Sequence, residues 1–267
     1  MRYGLVSDIH SNLPALEAAL EAIQQMGSLD GLLCMGDIVG YGPQPNEVVE
    51  RLRSFELQTI VGNHDLAVLG RLDLADFNYE AIQANRWNKE QLTEANREWL
   101  EKFEPMLRVS EKVTLAHGSP LEPVWEYLTT PQAAFRSFNK FDTQLCFVGH
   151  THLPRIFSLK STPTNSNGNG LPKINRPFKS SNKHSHTDMI IPFPGQVFEL
   201  QGERIILNPG SVGQPRDGDS RASFAVYDDT ACTITFGRAA YDISLTQHLM
   251  RQVDLPDRLW RRLDYGL

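Results

Sequence analysis

Tyr3-Gly4-Leu5-Val6-Ser7-Asp8-Ile9-His10-Ser11-Asn12 is the stretch on which the fold turns. Residues 3 to 7 are short and mostly apolar, the pattern of a buried strand, and the run stops at a carboxylate and an imidazole. Behind it Leu13, Leu16, Leu20 and Ile23 recur at spacings of three and four. Asn12 is placed to cap this helix, Pro14 sits in its first turn, and Gly27 marks its end. The phrase then repeats. Leu32-Leu33-Cys34-Met35 is a second buried strand ending at Gly36-Asp37, Pro45 to Phe55 reads as a helix, and Thr59-Ile60-Val61 is a third strand ending at Gly62-Asn63-His64-Asp65. Strand–helix alternation of this kind predicts an α/β architecture.

Further along, residues 78 to 104 read as helical, with Trp87, Leu92, Trp99, Leu100 and Phe103 as the apolar face. The later half changes character. Val113 to Ala116, Leu145 to Val148, Arg204 to Leu207, Ser223 to Tyr227 and Thr233 to Phe236 are strand candidates, the last two joined by a hairpin-like turn at Asp228-Asp229-Thr230. They predict a second sheet, more antiparallel than the first. Residues 160 to 187 are rich in Ser, Asn, Pro and Gly, and Lys160 to Thr187 holds no acidic residue. Such a segment lacks the apolar content to fold alone, so we expect a flexible insertion in a single domain spanning 1–267.

The 267 residues can bury one large core, and the net charge of -6 gives no basic face for a long polyanion. A nuclease acting on polymers is therefore disfavoured, while a small anionic substrate stays open because bound cations reverse a local field. The three cysteines, Cys34, Cys146 and Cys232, are odd in number and widely spaced, which predicts buried free thiols in a reducing compartment. The N-terminus enters the first strand with no apolar leader, and no apolar run approaches a membrane span. We expect a cytoplasmic protein that does not enter a membrane.

Five of the eight histidines, His10, His64, His117, His150 and His152, sit just past a strand candidate, as do Asp8, Asp37 and Asn63. Carboxyl ends of strands converge on the ligand crevice of an α/β sheet, so these residues can meet. Asp8 and His10 are two apart, as are His150 and His152. In extended chain, that spacing puts both side chains on one side. A mixed carboxylate, amide and imidazole set suits manganese, iron, zinc, cobalt or nickel. The seven candidates Asp8, His10, Asp37, Asn63, His117, His150 and His152 exceed what one four-coordinate ion needs. Two cations sharing a bridging carboxylate account for the surplus, with Asp37 as the bridge.

Taken in order, Asp8-Ile9-His10, Gly36-Asp37, Gly62-Asn63-His64-Asp65, His117-Gly118 and Gly149-His150-Thr151-His152 resemble the calcineurin-like metallophosphoesterase superfamily. Asn208-Pro209-Gly210-Ser211-Val212-Gly213 is similar to the later loop of its bacterial and archaeal phosphodiesterase branch. The resemblance implies a four-layer α-β-β-α sandwich of two mixed sheets flanked by helices. It implies two divalent cations per chain, manganese ahead of iron, zinc, nickel or cobalt. Asp8, His10 and His152 would hold the first, Asn63, His117 and His150 the second, and Asp37 would bridge. His64 would be the catalytic histidine, protonating the leaving oxygen or stabilising phosphoryl charge, and the nucleophile would be a hydroxide between the metals. The substrate would be a phosphodiester or small phosphomonoester.

The sequence also departs from the superfamily. Its serine/threonine phosphatases carry an Asp and an Arg where this chain has Gly40 and Tyr41, which speaks against a protein phosphatase and leaves His64 without an assigned partner. A dinucleoside polyphosphate hydrolase and a metal-free binding scaffold of the same fold are the alternatives. The scaffold ranks low because every ligand position is filled. Tyr41 could line the pocket or be an ordinary loop tyrosine. Arg216 could reach a substrate phosphate or pair with Asp217 or Asp219. Asp65 reads as a structural carboxylate fixing its turn, and His184 and His186 are not counted as ligands.

Overall fold

The computed structural model of the chain describes residues 1–161 and 185–267. In chain order it runs β1 (Arg2–Val6), α1 (Leu13–Gln25), β2 (Gly31–Cys34), α2 (Pro45–Leu52), β3 (Leu57–Thr59), α3 (Asn63–Leu69), α4 (Tyr79–Gln91), α5 (Glu94–Leu100), β4 (Met106–Arg108), β5 (Val113–Ala116), α6 (Pro131–Ser137), β6 (Leu145–Val148), β7 (Arg155–Ser161), β8 (Ser185–Ile190), β9 (Val197–Glu199), β10 (Arg204–Asn208), β11 (Ala222–Asp228), β12 (Thr233–Ala239), α7 (Ile243–Gln252) and α8 (Asp257–Arg261). Two six-stranded sheets form, ordered β3-β2-β1-β11-β12-β9 and β4-β5-β6-β10-β7-β8. Strands β2, β5 and β6 are buried along their whole length, as expected of parallel strands covered on both faces.

Leu5, Leu33, Ile60, Leu115, Phe147 and Leu207 pack between the sheets. Leu16, Leu20, Ile23, Val48 and Val49 seat α1 and α2 on the outer face of the first sheet, and Ala134 and Phe138 seat α6 on the outer face of the second. The result is the four-layer sandwich that the resemblance implied. No described helix is long and apolar enough to cross a membrane.

Four details differ from the sequence reading. The second sheet is not the more antiparallel one. Each sheet has two parallel and three antiparallel pairings, because the β11–β12 hairpin joins the first sheet beside β1. The helical stretch at 78–104 is two helices. The break falls at Leu92-Thr93, where the Thr93 hydroxyl accepts the Asn96 N–H at 3.4 Å and caps α5. Helix α4 buries Ala81, Ala84, Asn85 and Asn88 rather than an aromatic stripe. Finally, Cys34 and Cys146 are buried free thiols, but Cys232 is exposed in the β11–β12 turn.

Of the insertion expected at 160–187, residues 162–184, with His184, lie outside the described residues. At its borders the chain is ordered strand: Ser161 pairs with Ser185 and Lys160 with His186, in the antiparallel ladder of β7 and β8. His186 is exposed there and lies 3.4 Å from Asp188.

Candidate metal centre

The strand-end loops are held in a backbone conformation that ordinary residues avoid. Asp8, His10, Ser11, Asp37, Tyr41, His150 and His152 all have φ between 52° and 65°. A left-handed non-glycine residue costs roughly 1–2 kcal/mol, and such strain collects where function over-determines the backbone. Cross-links between loops hold it. The Asp8, His10 and Ser11 N–H groups donate to the carbonyls of Gly36, Asp37 and Ile38, each at 3.0 Å. The Asn208–Gly213 loop closes the other side, with the Ser211 hydroxyl on the Asp8 carbonyl at 2.7 Å and the Asn208 amide on Thr151 Oγ1 at 3.0 Å. In extended chain Asp8 and His10 would share one face. The structure brings them together through left-handed turns instead.

Two groups of buried side chains result. The ligand atoms of Asp8, His10 and His152 lie within 4.8 Å of one another, and so do those of Asp37, His117 and His150. Asn63 joins the second group, its Oδ1 3.0 Å from His117 Nε2. Asp37 reaches both: its Oδ2 is 3.3 Å from His117 Nε2 and 3.7 Å from His10 Nε2. Gly62 leaves the room this needs, since a Cβ there would collide with Asp37 Oδ1 and lie 2.6 Å from His117 Cε1.

The donor set fits divalent cations. His10 Nδ1 faces the Val39 carbonyl at 3.3 Å, His152 Nδ1 faces the Gln214 carbonyl at 2.5 Å, and His117 Nδ1 faces the Met35 carbonyl at 2.7 Å. A ring nitrogen beside a carbonyl carries the proton, so the basic Nε2 of His10 and His152 point inward. These two Nε2 atoms are 3.2 Å apart. A proton between them is opposed, because burial holds both imidazoles well below their ordinary range. Lone pairs brought together in this way need a cation. His150 is turned round: its Nε2 lies 3.2 Å from the Trp125 carbonyl, which leaves Nδ1 as the basic atom. Burial works against charge on His117, yet Asp37 and then Asp8 outweigh it and lift the imidazole to about 9. Burial, and then Asp37, lifts Asp8 to about 7 against the pull of His117. Burial also opposes charge on Asp37, but His117, His64 and His10 hold it below the usual carboxylate range.

His64 stands apart from the ligand groups, its ring 4.9 Å from that of His10. Its Nδ1 lies 2.8 Å from Asn85 Oδ1, so Nδ1–H donates and Nε2 is the free nitrogen. The missing partner is therefore an amide from α4. Gly40 makes this possible: at φ 91°, a Cβ there would sit 2.8 Å from His64 Nδ1 and 2.9 Å from Asn85 Oδ1. One turn on, Asn88 accepts from the Gly40 N–H at 3.0 Å and from the Ser11 hydroxyl at 2.6 Å. Asp65 caps α3, accepting from the Gly62 and Val39 N–H groups at 3.0 and 2.9 Å.

Around the centre runs an aromatic rim. Tyr41 is buried, its ring 4.7 Å from His10 and 4.2 Å from His64, and Tyr127 stacks on His150 at 4.1 Å. Phe77 links His64 to Trp125 at 5.0 Å on each side. Arg216 does not pair with its acidic neighbours: Arg238 takes Asp217, and Arg221 takes Asp219 at 2.6 Å. Its Nη2 donates to Gln214 Oε1 at 3.0 Å, and its guanidinium lies 6.0 Å from the Tyr41 ring. Asn85, Asn88, Trp125 and Tyr127 were not singled out by the sequence reading as site residues. An asparagine pair one turn apart on a helix was their only visible signal.

A family model described as the calcineurin-like phosphoesterase superfamily domain matches residues 1–169. An uncharacterised protein of Methanocaldococcus jannaschii is 35% identical over 266 residues, covering 98% of this chain and 97% of that one. The crystal structure of a metallophosphoesterase from Sphaerobacter thermophilus is 38% identical, covers 100% of this chain and 99% of its own, and superposes with a TM-score of 0.79. A bis(5'-nucleosyl)-tetraphosphatase of Proteus mirabilis is 28% identical over 134 residues, 49% of this chain and 48% of that protein, so the match spans about half of each.

Proposed function

We infer, for a chain that belongs to the calcineurin-like phosphoesterase superfamily and is a phosphate-ester hydrolase, a reaction at a pair of divalent cations. Asp8, His10 and His152 would hold one; Asn63, His117 and His150 would hold the other; Asp37 would touch both. The observation that carries this is the position of Asp37 Oδ2, within 3.7 Å of a basic imidazole nitrogen in each group. Bound there, two cations supply Lewis-acid charge to the phosphoryl oxygens and acidify the attacking water. We take manganese as the first metal to test.

Hydrolysis joins a water oxygen to phosphorus, breaks the bond from phosphorus to the ester oxygen, and leaves that oxygen in need of a proton. His64, once protonated at Nε2 from solvent, gives that proton to the leaving oxygen, while the attacking water releases one to solvent. Asn85 fixes the ring by accepting from Nδ1–H, and Tyr41 and Phe77 wall it from bulk water. The substrate is a phosphodiester or a small phosphomonoester. The named activity of the tetraphosphatase relatives makes a dinucleoside polyphosphate the second reading, supported by the cationic pocket described below. Buried free thiols at Cys34 and Cys146 support a reducing, cytoplasmic setting.

The test is turnover of bis-p-nitrophenyl phosphate and p-nitrophenyl phosphate with Mn²⁺, Ni²⁺, Co²⁺, Zn²⁺ and Mg²⁺. Metal-dependent release of p-nitrophenolate from either ester is the expected result. No release with any cation would put the metal-free scaffold in its place.

A further inference from the structure

Beside the metal centre lies a cavity of about 400 Å³, and none of the candidate metal ligands lines it. Tyr41 and Tyr127 form the wall it shares with the centre, since these same rings pack on His10 and His150. The opposite side is cationic. Arg216 comes from the loop after Gly213, while Arg258 and Arg262 come from α8 and the helical turn that follows it. Among the described residues Glu80 is the one acidic side chain that lines the cavity, and Arg258 lies 3.6 Å from it. Among the described residues, neither Arg216 nor Arg262 has an Asp or Glu partner.

Arginines are seldom packed this way without a reason. A buried guanidinium normally has a carboxylate or a full set of acceptors. The Nε of Arg216 is buried and has no hydrogen-bond partner among the described residues. Arg262 is half-buried and its Nε–H donates to an oxygen of Leu267, so among the described residues its two Nη groups remain for another partner. Burial, and then the charge of Arg216, pulls the Arg262 guanidinium down to about 10, so the two cations repel each other. This arrangement costs free energy in the empty pocket and is offset by an anion with several acceptor oxygens. Phosphate, recognised by the arginine fork, is that anion.

We propose that this cavity binds a second phosphate group of the substrate, separate from the one hydrolysed, held by Arg216 and Arg262 with Arg258 at the mouth. The proposal rests on the phosphoesterase reading and narrows it to a substrate class: an ester whose leaving group or retained group carries a further phosphate. The scissile group lies at the metal ligands, beside the Tyr41 ring that also lines the cavity. A substrate with a single phosphate fills one of the two sites and leaves the half-buried guanidinium of Arg216 without an anionic partner.

The experiment compares thymidine 5'-(p-nitrophenyl phosphate) with the same ester phosphorylated at the 3' oxygen. It reads kcat/KM for both in the wild-type protein, in Arg262→Gln and in Arg258→Gln. A charge-assisted contact to phosphate is strong enough to give about a tenfold preference for the doubly phosphorylated ester. The preference should fall toward one in Arg262→Gln and by a smaller factor in Arg258→Gln, whose side chain is 81% exposed and outside the core. Calorimetric titration with thymidine 3',5'-bisphosphate gives a readout independent of turnover, and binding should weaken about tenfold in Arg262→Gln. Turnover with no preference in the wild type, or bisphosphate binding unchanged in both variants, overturns the proposal and leaves the phosphoesterase reading intact. If neither ester is hydrolysed with any cation, the phosphoesterase reading fails, and the calorimetry alone decides whether the arginines hold a phosphate.

Discussion

At the metal centre Asp8 and Asp37 are at most 1% exposed, and the free nitrogens of His10, His152 and His150 gather round them as lone-pair donors. Beside the Tyr41 ring, Arg216 and Arg262 gather N–H donors with no Asp or Glu to receive them among the described residues. One site is short of positive charge and the other of negative charge. Each relieves the other only in part: burial and Asp37 each raise the Asp8 carboxyl more than the charge of Arg216 lowers it. The contrast teaches that the two sites would be completed by different bodies, cations in the first and an anion in the second. A phosphorylated substrate lying across the tyrosine wall would complete both.

The comparison breaks first at Asp37. Asp37→Ala removes the carboxylate shared by both groups, so metal-dependent hydrolysis should fall below detection. Cation-linked stabilisation should vanish too, about 2.7 kcal/mol at a concentration near 100 Kd. Melting curves with and without Mn²⁺ check this, and a variant that keeps both activity and the Mn²⁺ shift contradicts the shared-ligand geometry. A smaller effect is expected at His64. His64→Asn should keep its metal while turnover of an alkyl ester drops by about 10²–10⁴, the usual contribution of general acid catalysis. The drop should be less for p-nitrophenyl esters, which leave without a proton. Equal losses on both esters would remove the proton-transfer role, and loss of metal would make His64 a ligand.

Asn85 sharpens the picture further. Asn85→Ala frees the His64 ring and should lower kcat by about 10–100-fold, the range for groups that orient a reacting imidazole. Asn85→Asp keeps the acceptor and adds a negative charge that favours imidazolium, so the alkaline limb of its pH–rate profile, where the general acid loses its proton, should move to higher pH. A profile identical to wild type would mean that Asn85 does not touch the catalytic proton.

The smallest effect concerns the chain stripped of metal. Its His117 is raised from 6.5 to about 9, so the stability it contributes is present below pH 6.5 and is lost as pH rises through 9. Asp8 and Asp65, both raised to about 7, act in the same direction at lower pH, losing stability from the ordinary 3.8 upward. Against them, His10, His64, His150 and His152 are lowered, so below 6.5 the unfolded chain takes up protons that the folded chain refuses. Four histidines outweigh two carboxyls below 6.5, and His117 dominates above it. The melting temperature in chelator should therefore peak near neutrality and fall by roughly a few degrees toward pH 9. Bound metal replaces the His117 proton and should flatten that alkaline fall.

The two regions also differ in how far the sequence exposed them. Every candidate ligand sits within a few residues of a strand end, where an α/β sheet gathers side chains, so Asp8, Asp37, His117 and His150 could be picked out by position and residue type. The four-layer sandwich followed from the same motifs. Backbone conformation was not legible. Nothing in Asp8-Ile9-His10 announces left-handed φ values, because they are imposed by hydrogen bonds to the carbonyls of Gly36, Asp37 and Ile38, which lie more than 25 residues away in the chain. Asn85 was hidden for another reason: α4 turns an alanine–asparagine face inward, and a search for apolar periodicity passes over it. Arg258 and Arg262 lie in a C-terminal segment with no motif, and only the packing of α8 beside Tyr41 gives them meaning. The sheet assignment of β11 and β12 failed similarly, since pairing with β1 across more than 200 residues leaves no local trace.

The most direct test of the central claim is cation stoichiometry measured together with hydrolysis. The chain should be stripped with chelator, dialysed against Mn²⁺, analysed for bound metal, and assayed on bis-p-nitrophenyl phosphate in the same preparation. Two Mn²⁺ per chain, with turnover absent in the stripped protein and restored on loading, is the predicted result. Hydrolysis that survives complete stripping, or a loaded chain that binds no Mn²⁺, would contradict the account.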